Sequence, residues 1–400
     1  MTSYEFACRA FQVSAHLAMP LLDWKEPKVL RGPGSVDELP GLIKSMGLRR
    51  VLLVTDAGLV AAGLPGGLLR ALEREGIGCA AYDRTEVNPT IQNAEEACAL
   101  YRENDCQGII GFGGGSSLDC AKAAGALVAR PRAGISKLRG LLKVLKRLPP
   151  LFAVPTTAGT GSEATLACIL KDPAIGEKFA INDPVLRPKA AVLDPALTAG
   201  LPPDLTAQTG MDALVHAVEA FIGRSRTKWT DAAALEAVRL IFANLEKAYA
   251  DGSDLRAREA MLEASYRGGV AFSRAYVGYC HGIAHSLGGL YGTPHGLANA
   301  VIFPAVLEWY GPSAHARLAR LAEAAGIRGQ GDAEKAAGFI AALKEMNLRM
   351  NIPESFGCIR EEDIPLLAGR AIKECNPLYP VPKIMRRAEC ENVIRGLRNA

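Results

Sequence analysis

The sequence predicts an α/β N-terminal domain built on a parallel sheet, followed by an all-α C-terminal domain. Three observations predict it. Up to about residue 200, apolar runs rich in Val, Ile and Leu alternate with helical stretches, the rhythm of strands covered on both faces. Beyond Leu201 that rhythm stops and only helical periodicity remains. Three consecutive glycines, Gly113 to Gly115, stand where one apolar run gives way to a helix. The expected domains are 1–200, including an N-terminal arm 1–28, and 201–400.

The arm contains AFQVSAHLAMPLLDW, a short amphipathic helix broken near Pro20, read as a packed arm or subunit contact rather than a targeting tag. His16 lies here, far from the other histidines, and reads as structural. From Lys28 the elements follow in order. VDELPGLIKSMG is a helix closed by Gly47, RRVLLVTDAG a strand, GGLLRALEREG a helix and CAAYDRTEVNPT a strand with its loop. IQNAEEACALYREND is a helix, QGIIGFGGGSS a strand running into the glycine loop, and LDCAKAAGALVA the next helix. LFAVPTTAGTGSEAT repeats the strand-then-loop theme. The basic segment 136–150, SKLRGLLKVLKRLPP, reads as a solvated amphipathic helix face. MDALVHAVEAFIG, DAAALEAVRLIFANLEKAYA, LRAREAMLEASYRGG, AEKAAGFIAALKEM and EEDIPLLAGRAIKE all carry helical periodicity.

The totals exclude several classes. The chain has 400 residues, 49% apolar and 22% charged, with a formal net charge of +4. That is an ordinary globular composition with no basic, aromatic-interleaved patch, so nucleic acid is not an expected partner. No run approaches the ~18 apolar residues of a membrane span, and no signal-peptide core is present. Ten cysteines without a CxxC pair fit reduced thiols, and the cytoplasm is the expected location.

Glycines between a strand and a helix let backbone approach a phosphate, which the free N–H groups of the helix then bind. Ser116 reads as the N-cap of that helix, with Asp119 three residues on, close to a capping box. The GxGxxG fingerprint fails, because its third position is Ser116 or Leu118. A dinucleotide remains possible, with Asp56 at a strand end holding ribose hydroxyls; a carboxylate there repels a 2′-phosphate and favours NAD over NADP. Without other context Asp56 reads equally well as a turn residue. PTTAGTGSE adds a hydroxyl-rich loop with Thr156 and Thr157, and Lys178 offers a charged donor.

Three of six histidines, His281, His285 and His295, fall within fifteen residues, and His216 stands four after Asp212. The i, i+4 spacing of Asp212 with His216, and of His281 with His285, puts each pair on one helix face. His295 follows Thr293-Pro294, where Thr can cap and Pro can open a helix, so its imidazole sits at the positive dipole end and stays neutral. Imidazoles gathered with a carboxylate among apolar neighbours point to one metal ion. Five candidates exceed the usual three or four protein ligands, and spacing does not say which one does something else.

GGGSSLDCAK, VPTTAGTGSE, GMDALVHAVE and HGIAHSLGGLYGTPHGLANAV, in this order, resemble the iron-containing (group III) alcohol dehydrogenase family from about residue 28 to the end. The resemblance implies a dehydroquinate synthase-like architecture: a dinucleotide-binding domain, a helical metal domain and an active site between them. It makes Asp212, His216, His281 and His295 the ligands of a divalent metal, Fe²⁺ with Zn²⁺ as the alternative. His285 becomes a non-ligand beside substrate and nicotinamide. Gly114, Gly115 and Ser116 match the pyrophosphate loop, Thr156 and Thr157 the second cofactor loop, and Asn88 and Lys178 further cofactor positions. Asp56 matches the position tied to NAD preference, and Phe272 and Cys375 positions near the alcohol pocket. The arm is longer than in compact members of the family.

The expected function is interconversion of a primary alcohol and its aldehyde, with hydride passing to NAD and His285 handling the proton. The alternatives are a zinc-dependent, glycerol dehydrogenase-like polyol oxidoreductase and a metal-dependent lyase of the dehydroquinate synthase type. The expected partners are a small alcohol or aldehyde and a second copy of the chain, in a homodimer or higher homo-oligomer.

Overall fold

The computed structural model describes residues 2–19, 22 and 24–399. By its contacts the chain forms two compact units. One comprises Trp24–Leu201 and Gly252–Leu262, the other Met1–Asp23, Pro202–Asp251 and Glu263–Ala400. The sequence grouped the N-terminal arm with the α/β domain, whereas its helix α1 (Ser3–Ala18) belongs with the helical residues. The expected break near Pro20 lies outside the described residues.

The α/β unit is built on strands β1 (Lys28–Arg31), β2 (Arg50–Val54), β3 (Gly78–Tyr82) and β4 (Gly108–Gly113), a short β5 (Gly140–Leu141), then β6 (Leu151–Pro155), β7 (Ala167–Asp172), β8 (Glu177–Asn182) and β9 (Ala190–Leu193). Its helices are α2 (Leu39–Ser45), α3 (Ala57–Ala61), α4 (Gly66–Arg74), α5 (Ile91–Glu103) and α6 (Gly115–Ala129). Six strands form one parallel sheet in the order β1-β9-β6-β4-β2-β3. The middle strands β4 and β6 are buried at every residue, as continuous apolar runs require when helices cover both faces. After β2 the chain adds β3 on one side and β4 on the other. The loops following β2 and β4 therefore diverge at a switch point, where open α/β sheets bind ligands.

A second sheet, β5-β8-β7, was not legible in advance; its β7–β8 pair is antiparallel from Ala167↔Asn182 to Asp172↔Glu177. The helix expected over 136–150 does not form. A 3-10 turn at Ile135–Leu138 leads into β5 through Gly140, at φ +102°. The Asp183 carboxylate then accepts the N–H groups of Val144 and Leu145, satisfying backbone that a helix would have bonded internally.

The helical unit holds α7 (Pro203–Ile222), α8 (Lys228–Ala250), the part of α9 (Leu255–Ala275) from Glu263 on, α10 (Tyr279–Tyr291), α11 (His295–Tyr310), α12 (His315–Ala324), α13 (Asp332–Arg349), α14 (Ile364–Cys375) and α15 (Arg387–Gly396). Helices α7, α10 and α11 pack on one another or on shared neighbours and carry four of the six histidines. Among the described residues no helix is long and apolar enough to cross a membrane.

Candidate active site

Helix α7 holds Asp212 and His216 on one face, α10 holds His281 and His285, and α11 opens at His295. Asp212, His216 and His281 are 2%, 5% and 2% exposed, and their donor atoms lie within 4.8 Å of one another. Asp212 Oδ1 is 3.6 Å from His295 Nε2 and 3.9 Å from His281 Nε2, and Oδ2 is 4.0 Å from His216 Nδ1. These separations are too long for hydrogen bonds. They suit donors facing a common point, since ligand atoms ~2.1 Å from one ion stand roughly 3–3.5 Å apart.

The two ring nitrogens of His281 have different surroundings. Its Nδ1 is 2.6 Å from Glu219 Oε2, and its Nε2 is buried with no hydrogen-bond partner. The carboxylate fixes the Nδ1–H tautomer and leaves the Nε2 lone pair bare toward Asp212, an arrangement typical of metal-binding histidines. Burial pushes the imidazole pKa down to about 4 against the opposing pull of Asp212, so the ring is neutral as ligation requires. Glu219 also accepts the N–H groups of Gly278 (2.7 Å) and Cys280 (2.9 Å), tying α7 to the start of α10. Burial raises its own pKa to about 7, with those N–H bonds acting in the opposite direction. Asn299, fully buried one turn after His295, donates its amide to Asp212 Oδ1 at 2.6 Å and lies 3.2 Å from His295 Nε2. Three imidazoles and a carboxylate with this support fit a divalent ion.

His295 is the first residue of α11, with Pro294 as the N-cap rather than the first helical residue, and Thr293 makes no cap. Its ring stacks on His285 at 5.1 Å between centroids. His285 Nδ1 is 2.7 Å from Glu374 Oε1, a contact spanning 89 residues of sequence. The Phe272 ring stacks on His216 at 4.2 Å, an apolar wall beside that imidazole. Cys375 is fully buried, and a Cβ built on Gly282 would lie 2.2 Å from its Sγ. The thiol therefore packs against α10 between His281 and His285. Gly282→Ala should cost about 1–3 kcal/mol in a urea melt through overpacking. Adding Cys375→Ala should recover most of that loss, whereas strictly additive losses would mean the two positions do not touch.

In the α/β unit, Gly113 sits at φ +144°, where an added Cβ would fall 2.6 Å from Ser117 Oγ. A Cβ on Gly115 would fall 2.6 Å from Thr160 Cγ2, and one on Gly114 3.4 Å from Thr157 Cγ2. Thr156 donates its N–H to the Gly113 carbonyl at 3.0 Å, so the loops after β4 and β6 lie side by side. Asn88, at φ +62°, donates its N–H to Ser116 Oγ at 3.3 Å. The structure thus brings Asn88, Gly114, Gly115, Ser116, Thr156 and Thr157 together.

Ser116 is not the N-cap expected from sequence. Gly114 occupies that position without a side-chain cap, leaving first-turn N–H groups for an anion. Asp119 is not a cap either: it accepts Ser162 Oγ–H at 2.7 Å and the Ile169 N–H at 2.9 Å. Asp56 caps α3 through Leu59 N–H at 3.0 Å, just after β2 at the switch point. Lys178 stands on β8 opposite Lys171; burial raises the Asp119 pKa, and the Lys122 and Lys178 charges act against that.

Residues 26–195 match the iron-containing alcohol dehydrogenase family, and residues 206–397 match the C-terminal part of the Fe-containing alcohol dehydrogenase family. The chain is 39% identical over 363 residues to a 1,3-propanediol dehydrogenase of Klebsiella pneumoniae, covering 89% of this chain and 94% of that one. It is 36% identical over 379 residues to an NAD-dependent methanol dehydrogenase of Bacillus methanolicus, covering 94% and 98%. The solved structure of an alcohol dehydrogenase from Oenococcus oeni superposes with a TM-score of 0.89 at 34% identity, over 94% of this chain and 99% of that one. The chain belongs to the iron-containing alcohol dehydrogenase family and is a metal- and NAD(H)-dependent alcohol dehydrogenase.

Proposed function

We propose that Asp212, His216, His281 and His295 hold the iron, that His285 exchanges the proton of the reacting hydroxyl, and that the substrate is a small primary alcohol or its aldehyde. The bare, buried Nε2 of His281 supports this reading best. A divalent ion held by these four residues would supply Lewis-acid chemistry, lowering the pKa of an alcohol hydroxyl and polarising an aldehyde carbonyl. Glu219 keeps His281 in the ligating tautomer, Asn299 orients Asp212, and Phe272 excludes water from the His216 side. His285, with Nδ1 engaged by Glu374, presents Nε2 as the nitrogen that accepts or returns the proton.

On the cofactor side, the N–H groups around Gly114, Gly115 and Ser116 would hold the pyrophosphate. Asn88, Thr156, Thr157 and Lys178 would hold the rest of NAD, and Asp56 would hold the adenosine ribose. We place the enzyme in the cytoplasm as a homodimer or higher homo-oligomer; ten free cysteines suit a reducing compartment.

Anaerobically purified protein should carry iron and form NADH from primary alcohols; chelation should abolish this activity and Fe²⁺ restore it. Full activity in chelated, metal-free protein would sink the proposal. Asp56→Gly should raise kcat/KM for NADP⁺ about ten- to a hundredfold, the removal of about 1–3 kcal/mol of like-charge repulsion. Its stability should change by only a few tenths of a kcal/mol, because glycine also caps helices acceptably. Unchanged NADP⁺ use would place the ribose elsewhere.

A further inference from the structure

The expected reaction gives no role to helix α1, to Tyr379 or to Glu374, yet hydrogen bonds link all three to His285. Tyr379 O–H donates to Glu374 Oε1 at 2.8 Å, the same oxygen that lies 2.7 Å from His285 Nδ1. With both donors on one carboxylate oxygen, the imidazole is held as its Nδ1–H tautomer and its Nε2 is left as the acceptor. Tyr379 stands in the segment 376–382, which lacks helix or strand bonding of its own. Helix α1 supplies what is missing. Gln12 Nε2 donates to the carbonyls of Tyr379 (2.8 Å) and Pro377 (3.1 Å). Arg9 donates to those of Val381 (2.7 Å) and Pro382 (2.9 Å), and also to the side-chain amide oxygen Oε1 of Gln12 at 2.8 Å. On the other side, Tyr279 of α10 donates to Asn376 Oδ1 at 2.7 Å.

We infer that Glu374 and Tyr379 are positioning residues for His285, and that α1 braces them by holding the segment 376–382 through Arg9 and Gln12. This rests on His285 being the proton-transferring residue. It gives the N-terminal arm a function inside its own chain: a fixed relay nitrogen.

The test uses the full-length, iron-loaded enzyme for kinetics and the metal-free protein, with ¹⁵N-labelled histidine, for NMR. Glu374→Ala should lower kcat roughly ten- to a hundredfold, the range seen when the group orienting a functional histidine is removed. Iron content and KM for alcohol should stay near wild type, and the Nδ1–H signature of His285, assigned by comparison with His285→Ala, should disappear. Glu374→Asp should restore part of both. Tyr379→Phe and the double variant Arg9→Ala/Gln12→Ala should each lower kcat several-fold, and neither should add a further loss in the Glu374→Ala background. Wild-type kcat in Glu374→Ala with an unchanged tautomer would overturn the role of Glu374. Arm substitutions that cost as much in the Glu374→Ala background as alone would overturn the route through it. Wild-type turnover in His285→Ala would instead overturn the underlying reading of His285, while the NMR comparison would still report on the Glu374 contact.

Discussion

His281→Ala should yield a folded protein that holds no iron and oxidises alcohols at least a thousandfold more slowly. The size follows from what the ion contributes. Lewis-acid stabilisation is worth several kcal/mol, and each 1.36 kcal/mol is about a factor of ten in rate. Asp212→Ala should do the same, because its two oxygens are the ones that the His295, His281 and His216 nitrogens face. Folding should survive in His281→Ala, since Glu219 keeps its two backbone partners, Gly278 and Cys280. Glu219→Gln separates holding the ion from holding the ligand. An amide cannot accept on both of its polar atoms, so either the Cys280 N–H or the pair on Oε2 loses a partner. Iron affinity should fall about ten- to a hundredfold while the helical unit still melts cooperatively. Elemental analysis and metal titration of the variants measure both effects. Stoichiometric iron in purified His281→Ala would remove that residue from the ligand set.

Much of this site can be read in the sequence because it is local. Asp212 and His216 share a helix face by spacing alone, and Glu219 lies on that face too, three residues beyond His216. Asn299 stands four after His295. Both supporting residues fall within the same periodicity, but polar residues on buried helices have many structural uses, so spacing alone does not single them out. Glu374 offered no such signal, since its contact with His285 joins residues 89 positions apart. The same holds for Arg9 and Gln12, whose partners lie more than 360 residues away.

The fold divides along the same line. Strands β2, β4 and β6 were visible as continuous apolar runs, and the glycine and threonine loops sit at their ends. The β7–β8 pair has a mixed burial pattern and polar residues on both strands, so it gave no such run. Segment 136–150 misled because its Leu and Lys spacing imitates an amphipathic helix. Its buried Leu138, Val144 and Leu148 belong to the core of the α/β unit. Asp183, some forty residues on, decides the backbone there.

Lys122→Met should destabilise the α/β unit by about 3–5 kcal/mol, the usual cost of breaking a buried charge arrangement from one side. The ammonium is fully buried on α6, and its three N–H groups are shared among oxygens at 2.7–2.8 Å: Ser162 O (2.7 Å), Ser162 Oγ (2.8 Å), Thr165 Oγ1 (2.8 Å) and Ala167 O (2.7 Å). Burial lowers its pKa and Asp119 acts to raise it. Methionine fills the volume but leaves carbonyl and hydroxyl oxygens without a donor and Asp119 without its cation. The affected segment runs from Ser162 to Ala167, immediately after Thr160, whose side chain is the one closest to Gly115. NAD affinity should therefore fall together with stability. An exposed pair such as Lys44–Glu75, 2.8 Å apart, is the comparison: Lys44→Met should cost no more than about 1 kcal/mol and leave NAD binding alone. Urea melts and calorimetric NAD titrations of the two variants distinguish the cases. If Lys122→Met unfolds within about 1 kcal/mol of wild type, the buried ammonium is not what holds this loop beside the glycines.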